Sequence, residues 1–385
     1  MRLVMSGVVA AMMLTGCQTS SVAPQPVVEA QAIISLQPVT HPQVLSTEQI
    51  FSLTDAQRED FLTFFNAPAY AHIEEHKRLV EYLERRLFGF DYRGDTYTAA
   101  ESLTNNGGNC MSLAILTTAL ANLAGIDIEY NVIFTTPVYW QKGNTLLLSS
   151  HVNVMAHRPK KYELFEGFGF SGVVIDYYPD GGDVKGKRVN FEQMLAFFYQ
   201  NHAVEALLAN DYTLAIANAQ RAYQLDPTNP ETLNLLAVTY RRMGANQQAG
   251  EIFRFATEHN LASINLINNY ALYARLNGDA ETAVKLDSIL EEADDPNPYA
   301  WVKLGFDALS QKDASKARHY FKVALRHAPY LAEAHFGIAQ SYYLEDSPEQ
   351  AVKAMERAVS EAFDTESRQR YREKLSVLRS VAGES

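Results

Sequence analysis

A 34-residue period in the second half of the chain limits its fold more than any other feature. From Tyr199 onward a small residue recurs at Ala203, Ala237, Ala271, Gly305 and Ala339. Alanine recurs at Ala215, Ala249, Ala283, Ala317 and Ala351, and a third column holds Ala222, Ala256, Leu290, Ala324 and Ala358. Three columns in one register are hard to obtain by chance. A period of this length describes a helix–turn–helix unit that cannot bury its apolar face alone and must stack on copies of itself. Small side chains at fixed places let the helices of one unit, and of its neighbours, pack closely. Asp226-Pro227 and Ala328-Pro329 fall where a second helix ends.

This pattern resembles the tetratricopeptide repeat over about residues 199–364. The resemblance implies an all-α superhelix whose concave surface takes a protein or peptide partner. Repeats two and three carry Asn260-Leu261 and Asp294-Asp295 in place of Asp-Pro, so their turns are expected to differ by a residue or two. A last helix near Glu366 to Val377 puts Tyr371, Leu375 and Leu378 on one face and reads as a solvating cap.

The repeats leave more than half of a 385-residue chain for something else, and that length suits two or three domains. A net charge of −12 argues against nucleic acid as a partner, because phosphate binding needs a basic surface. The N-terminus reads as a targeting segment: Arg2, an apolar run from Leu3 to Leu14, then Leu14-Thr15-Gly16-Cys17. That ending resembles a bacterial lipobox, which implies cleavage before Cys17 and a lipid on its thiol. Gln18 and Thr19 follow, with no Asp after the cysteine, and the resemblance then favours the outer membrane, with the body facing the periplasm. The other reading is an ordinary signal peptide that ends in cysteine. Residues 18–45, with Pro24, Pro26, Pro38 and Pro42, read as a flexible tether.

Between tether and repeats the pattern is first helical and then alternating. Ser46 or Thr47 can cap a helix through Phe65, and a second helix after Pro68 carries Ile73, Leu79, Val80, Leu83 and Leu87 on one stripe. A short helix over Thr98 to Leu103 precedes the turn Asn105-Asn106-Gly107-Gly108. An apolar helix runs from Cys110 to Ala124 and stops at Gly125. Strands are predicted over Ile126 to Thr135, Leu146 to Met155 and Val173 to Tyr177, an α+β layout.

Cys17 and Cys110 are the two cysteines, so a lipid on Cys17 excludes an intramolecular disulfide. A lone thiol in an oxidising compartment needs burial or a nucleophilic role. Cys110 opens a helix, where the dipole and backbone N–H groups stabilise a thiolate and an oxyanion. The bland reading is a buried structural cysteine. His151 lies mid-strand, with Ser149 and Asn153 on the same face, and an imidazole beside the helix can take the thiol proton. Asp176 lies in the apolar run Val173-Val174-Ile175-Asp176-Tyr177, where a carboxylate is costly unless paired, and orienting a histidine would pair it.

At these residues the chain resembles the transglutaminase-like, papain-related superfamily over about 60–190. The matching pieces are Thr98-Ala99-Ala100-Glu101, Gly108-Asn109-Cys110-Met111-Ser112, Leu120 to Ile126, His151-Val152-Asn153-Val154 and Val174-Ile175-Asp176. The resemblance implies Cys110 as nucleophile, His151 as general base and acid, and Asp176 as orienter, for amide hydrolysis or acyl transfer. Crosslinking transglutaminases have Gln before the cysteine and an aromatic residue after it; this chain has Asn109 and Met111. It looks most like bacterial members fused to C-terminal tetratricopeptide repeats.

No cofactor and no metal are expected. His72 and His76 are spaced i, i+4 around Glu75 but lack a third ligand with good spacing, and the run is not His-Glu-x-x-His. His157 reads as exposed beside Arg158, Lys160 and Lys161, and Asp180-Gly181-Gly182-Asp183 reads as a loop. Tyr139 and Trp140 are hairpin core or an aromatic cleft wall. The expected organisation is a signal peptide over 1–16, a tether over 17–45, a transglutaminase-like α+β domain over 46–190, repeats over 191–364, and a capping helix and tail over 365–385. Two functions follow: a membrane-anchored cysteine-dependent amidase, peptidase or acyltransferase acting on a protein or peptide, or a catalytically silent envelope scaffold that binds partners through its repeats.

Overall fold

The structure is a computed structural model and describes residues 38–92, 95–134, 151–159, 172–175, 184–362 and 365–383. The N-terminal part begins with α1 (Thr47–Phe51) and α2 (Asp55–Phe65). The single helix expected here is two, because the sequence carries two capping boxes in succession. Ser46 pairs reciprocally with Gln49, and Thr54 with Gln57. A 3₁₀ turn over Pro68–Tyr70 leads to α3 (Glu75–Arg86), which leaves Ile73 outside the helix.

Two-residue strands β1 (Asp91–Tyr92) and β2 (Gly107–Gly108) pair in parallel and bracket α4 (Ala99–Asn105). The long helix α5 (Cys110–Ala124) ends at Gly125, whose φ of 66° is the left-handed cap that favours glycine. The chain then returns through β3 (Ile128–Phe134), β4 (His151–His157), β5 (Gly172–Ile175) and β6 (Val184–Val189), an antiparallel sheet in the order β5-β4-β3-β6. Strand β6 was not expected. Its run Val-Lys-Gly-Lys-Arg-Val is too polar to show alternation, as suits an edge strand guarded by charge.

Helix α5 is largely apolar around its circumference and is buried from Cys110 to Ala121, with Asn122 in its last turn exposed. Met111, Ile115, Leu116, Leu120 and Ala121 are each 0% exposed. Helices α1 to α4 surround α5, and β4 packs against it. The expected tether is held in its last part: Val39 N–H donates to Gln220 Oε1 at 2.9 Å, and Tyr199 Oη donates to the Leu45 carbonyl at 2.7 Å. The apolar side chains of Val39, Val44 and Leu45 explain the correction, since each packs against a core cluster.

The C-terminal part is an all-α superhelix of helical hairpins. Its first helices are α6 (Phe191–Leu208), α8 (Pro230–Arg242), α10 (Ile264–Leu276), α12 (Pro298–Ser310) and α14 (Ala332–Leu344). Its second helices are α7 (Tyr212–Leu225), α9 (Asn246–Glu258), α11 (Ala280–Glu292), α13 (Ala314–His327) and α15 (Pro348–Glu361). From α7 and α8 onward every start falls 34 residues after the previous one of its kind, as in 212, 246, 280, 314 and 348. The Asp-Pro departures shorten α9 and α11 to 13 residues against 14 for α7 and α13, and the register is kept. All three small-residue columns are buried, with Ala203, Ala249, Ala317 and Ala358 at 0% exposure.

Neighbouring first helices touch one another while second helices scarcely do, so the array curves toward its first helices and these line the concave face. Helix α16 (Thr365–Ala382) closes the stack with Tyr371, Leu375 and Leu378 buried. Helix α6 belongs to both parts. Met194 to Tyr199 join the core around α5, whereas Ala203 joins that of the first repeats.

Candidate functional site

Cys110 is the first residue of α5 and is 6% exposed. The turn before it is shaped by side chains. Gly108 has φ of 131°, and a Cβ there would lie 2.6 Å from Ser112 Cβ, so both backbone and space demand glycine. Asn109 is the N-cap, with Oδ1 accepting the Ser112 N–H at 3.0 Å. The Leu113 N–H goes to the Asn109 carbonyl. The N–H groups of Cys110 and Met111 therefore stand in the first turn, where the helix dipole is most positive.

Residues 95–97 run alongside and bond this cap one after another. The Asp95 carbonyl accepts the Asn109 N–H at 3.1 Å. Thr96 Oγ1 accepts from Asn109 Nδ2 at 2.9 Å, and Tyr97 N–H donates to Ser112 Oγ at 2.8 Å. The piece Thr98 to Glu101, matched by resemblance, is a capping box: the Glu101 carboxylate accepts from both the N–H and the Oγ1 of Thr98. Thr96 and the role of Ser112 were missed in the sequence. A weak signal existed in Asn-x-x-Ser at a helix start; Thr96 carried none.

His151 opens β4, paired with Ile133. The chain reverses at Gly125 and again between β3 and β4, so α5 and β4 run the same way and begin at the same end of the layer. Midway along, Thr118 Oγ1 and Tyr130 Oη lie 3.1 Å apart, fixing the helix against the sheet. Burial raises the pKa of that tyrosine, and the Thr118 bond opposes the shift. The rows of the sheet alternate. Val132 pairs with Val152 and Tyr130 with Val154, and these four join the core around α5, while His151 and Ile133 occupy the next row. Asp176, Cys17, Tyr139, Trp140 and Asp180 to Asp183 lie outside the described residues.

The remaining candidates resolve locally. His157 is not an exposed member of a basic patch: its Nε2 lies 3.2 Å from Glu129 Oε2, and Arg188 Nε lies 2.6 Å from Glu129 Oε1. Arg158 pairs with Glu74. His76 is buried in α3, which pushes its pKa down, while Glu74 opposes that shift. Among the described residues no group of three His, Cys, Asp or Glu is arranged to hold a metal. On the concave side, Asn265 Nδ2 donates to Glu231 Oε1 at 3.2 Å and Asn269 Nδ2 to Asn234 Oδ1 at 2.9 Å, a polar ladder between α8 and α10.

No family model matches the chain, and no curated protein matches it. Solved structures similar to it include the MamA protein, with 20% identity over 43% of this chain and 91% of that one at a TM-score of 0.29. YrrB, described as a TPR protein with an unusual peptide-binding site, has 16% identity over 46% of this chain and 92% of its own, with a TM-score of 0.29. PilF of Pseudomonas aeruginosa has 18% identity over 51% of this chain and 87% of its own, with a TM-score of 0.32. The repeat character of the C-terminal part rests on the chain's own geometry, helical hairpins that recur every 34 residues from Tyr212 onward.

Proposed function

We propose that the protein is a cysteine-dependent amidase, peptidase or acyltransferase of the transglutaminase-like type, acting on a protein or peptide that its repeats help to hold. Cys110 attacks the acyl carbon, His151 takes and returns the proton, and Asp176 orients the imidazole. The observation that carries this reading is the placement of Cys110. It opens α5 behind an Asn109 cap, at the end of the layer where β4 begins with His151. The N–H groups of the first helical turn would stabilise the oxyanion. The concave face, held in shape by the bonds from Asn265 to Glu231 and from Asn269 to Asn234, would present a fixed surface to an extended peptide. A lipid on Cys17 would anchor the body at the outer membrane, facing the periplasm, through residues 18–37.

The test is the rate at which a thiol-directed activity probe labels Cys110 in native and denatured protein at about pH 6 to 7. Faster labelling of the native thiol supports the enzyme. A second reading, a catalytically silent scaffold that works through its repeats, is favoured by the sheet register. His151 falls one row away from the Val132–Val152 pair that packs with α5, and Cys110 itself is 6% exposed. Native labelling no faster than denatured selects the scaffold.

A further inference from the structure

The first repeat helix reaches into the turn that precedes Cys110. Glu205 lies on α6, and its Oε1 accepts the Thr96 N–H at 3.1 Å from a distance of 109 residues along the chain. Thr96 Oγ1 accepts from Asn109 Nδ2, and Asn109 Oδ1 caps the Ser112 N–H. Thr96, Asn109 and Ser112 are 4%, 6% and 0% exposed. Within this buried set, each group depends on the next for its orientation, because a polar group left unmatched inside a protein is expensive. Glu205 differs from the others: its side chain is 38% exposed, and its other oxygen lies 3.3 Å from His202 Nδ1 on the same helix.

We infer that Glu205 is a positioning residue for Cys110. By holding the Thr96 N–H it fixes residues 95–97 against the cap of α5, and with them the direction of the first-turn N–H groups that face the thiol. The repeat array thereby sets the reactivity of the cysteine rather than only presenting a partner to it. The inference rests on Cys110 being the nucleophile. The coupling from Glu205 to Thr96 does not, and the two are separable by experiment.

The full-length protein and its Glu205→Ala and Glu205→Gln variants are compared by amide hydrogen exchange and by iodoacetamide labelling, read at the Cys110 peptide by mass spectrometry against pH. Glutamine keeps the Oε1 acceptor and alanine does not. Glu205→Ala should speed exchange at Thr96 and Ser112, and should slow Cys110 labelling near neutral pH by about two- to five-fold, the size of a helix-terminus effect on a charged group. Glu205→Gln should restore both, and should recover the few degrees of melting temperature that the unmatched Thr96 N–H takes from the Ala variant. Unchanged exchange at Thr96 in Glu205→Ala overturns the coupling. Faster exchange with unchanged labelling overturns control of the thiol, as does a Gln variant that behaves like the Ala variant. A native thiol in the parent protein that titrates like the denatured one overturns the nucleophile reading, and with it control of the thiol, while exchange still reports on the coupling.

Discussion

The ring of Phe321 occupies the space that a side chain at Gly305 would need, with Cε1 2.5 Å from where a Cβ would be placed. The same ring fills the corresponding space at Gly337 on the next first helix, α14. Gly305 is the one glycine in a column of alanines, and Phe321 is the reason. Gly305→Ala should destabilise the array by about 1–3 kcal/mol through overpacking, less the helix-propensity gain of about 0.5–1 kcal/mol. Phe321→Leu should cost less in the Gly305→Ala background than alone. Urea unfolding of the two single variants and the double variant checks the compensation; strictly additive losses contradict it.

Ala249 and Ala317 are 0% exposed at close helix contacts. Replacing either with Leu should cost about 1–3 kcal/mol and spread to the adjoining repeats. The core around α5 should be spared, as read by hydrogen exchange on its amides. Unfolding curves that do not move would refute close packing at these columns.

Burial lowers the pKa of His76 and of His335 from the ordinary 6.5. Each is opposed from nearby, by Glu74 for His76 and by the Pro329 carbonyl for His335. Such a histidine binds its proton first in the unfolded chain. Its stabilising share is thus complete above the unfolded value and is lost as pH falls toward the folded one. Unfolding free energy should therefore decline as pH falls below the ordinary histidine value of 6.5. His76→Gln should flatten that slope in urea titrations at several pH values; parallel slopes would show that His76 contributes nothing.

If Cys110, His151 and Asp176 act as one unit, Cys110→Ala, His151→Ala and the double variant should share one loss-of-function phenotype, since members of a triad are not additive. Asp176→Asn should follow closely, given that loss of the orienter costs about 10⁴-fold in the serine case. The phenotype of deleting the whole protein is the readout, with thermal melts as the folding control. A folded Cys110→Ala protein that fully rescues the deletion ends the enzyme reading.

Cys17→Ser should move the protein from the membrane fraction to the soluble fraction and leave its melting temperature unchanged, because several acyl chains anchor stably where one chain binds only marginally. Retention in the membrane fraction would disprove the anchor.

The features legible in the sequence are those written locally. Small residues every 34 positions locate the helices, because each repeat meets only its neighbours and must use the same contacts each time. Asn109 before Cys110 and Gly125 after Ala124 bound α5 to the residue, because caps act through groups a few residues away. Tertiary structure decided the rest. Glu205 looks like any carboxylate on a half-exposed helix until folding brings the Thr96 N–H to it across 109 residues. The segment 38–45 reads as tether because the surfaces that hold it, at Tyr199 and Gln220, lie more than 150 residues away. Strand β6 needed β3 beside it, since backbone pairing with a neighbour, not its own polar side chains, makes it a strand. A local pattern records what a residue prefers; which distant group meets it depends on the path of the whole chain.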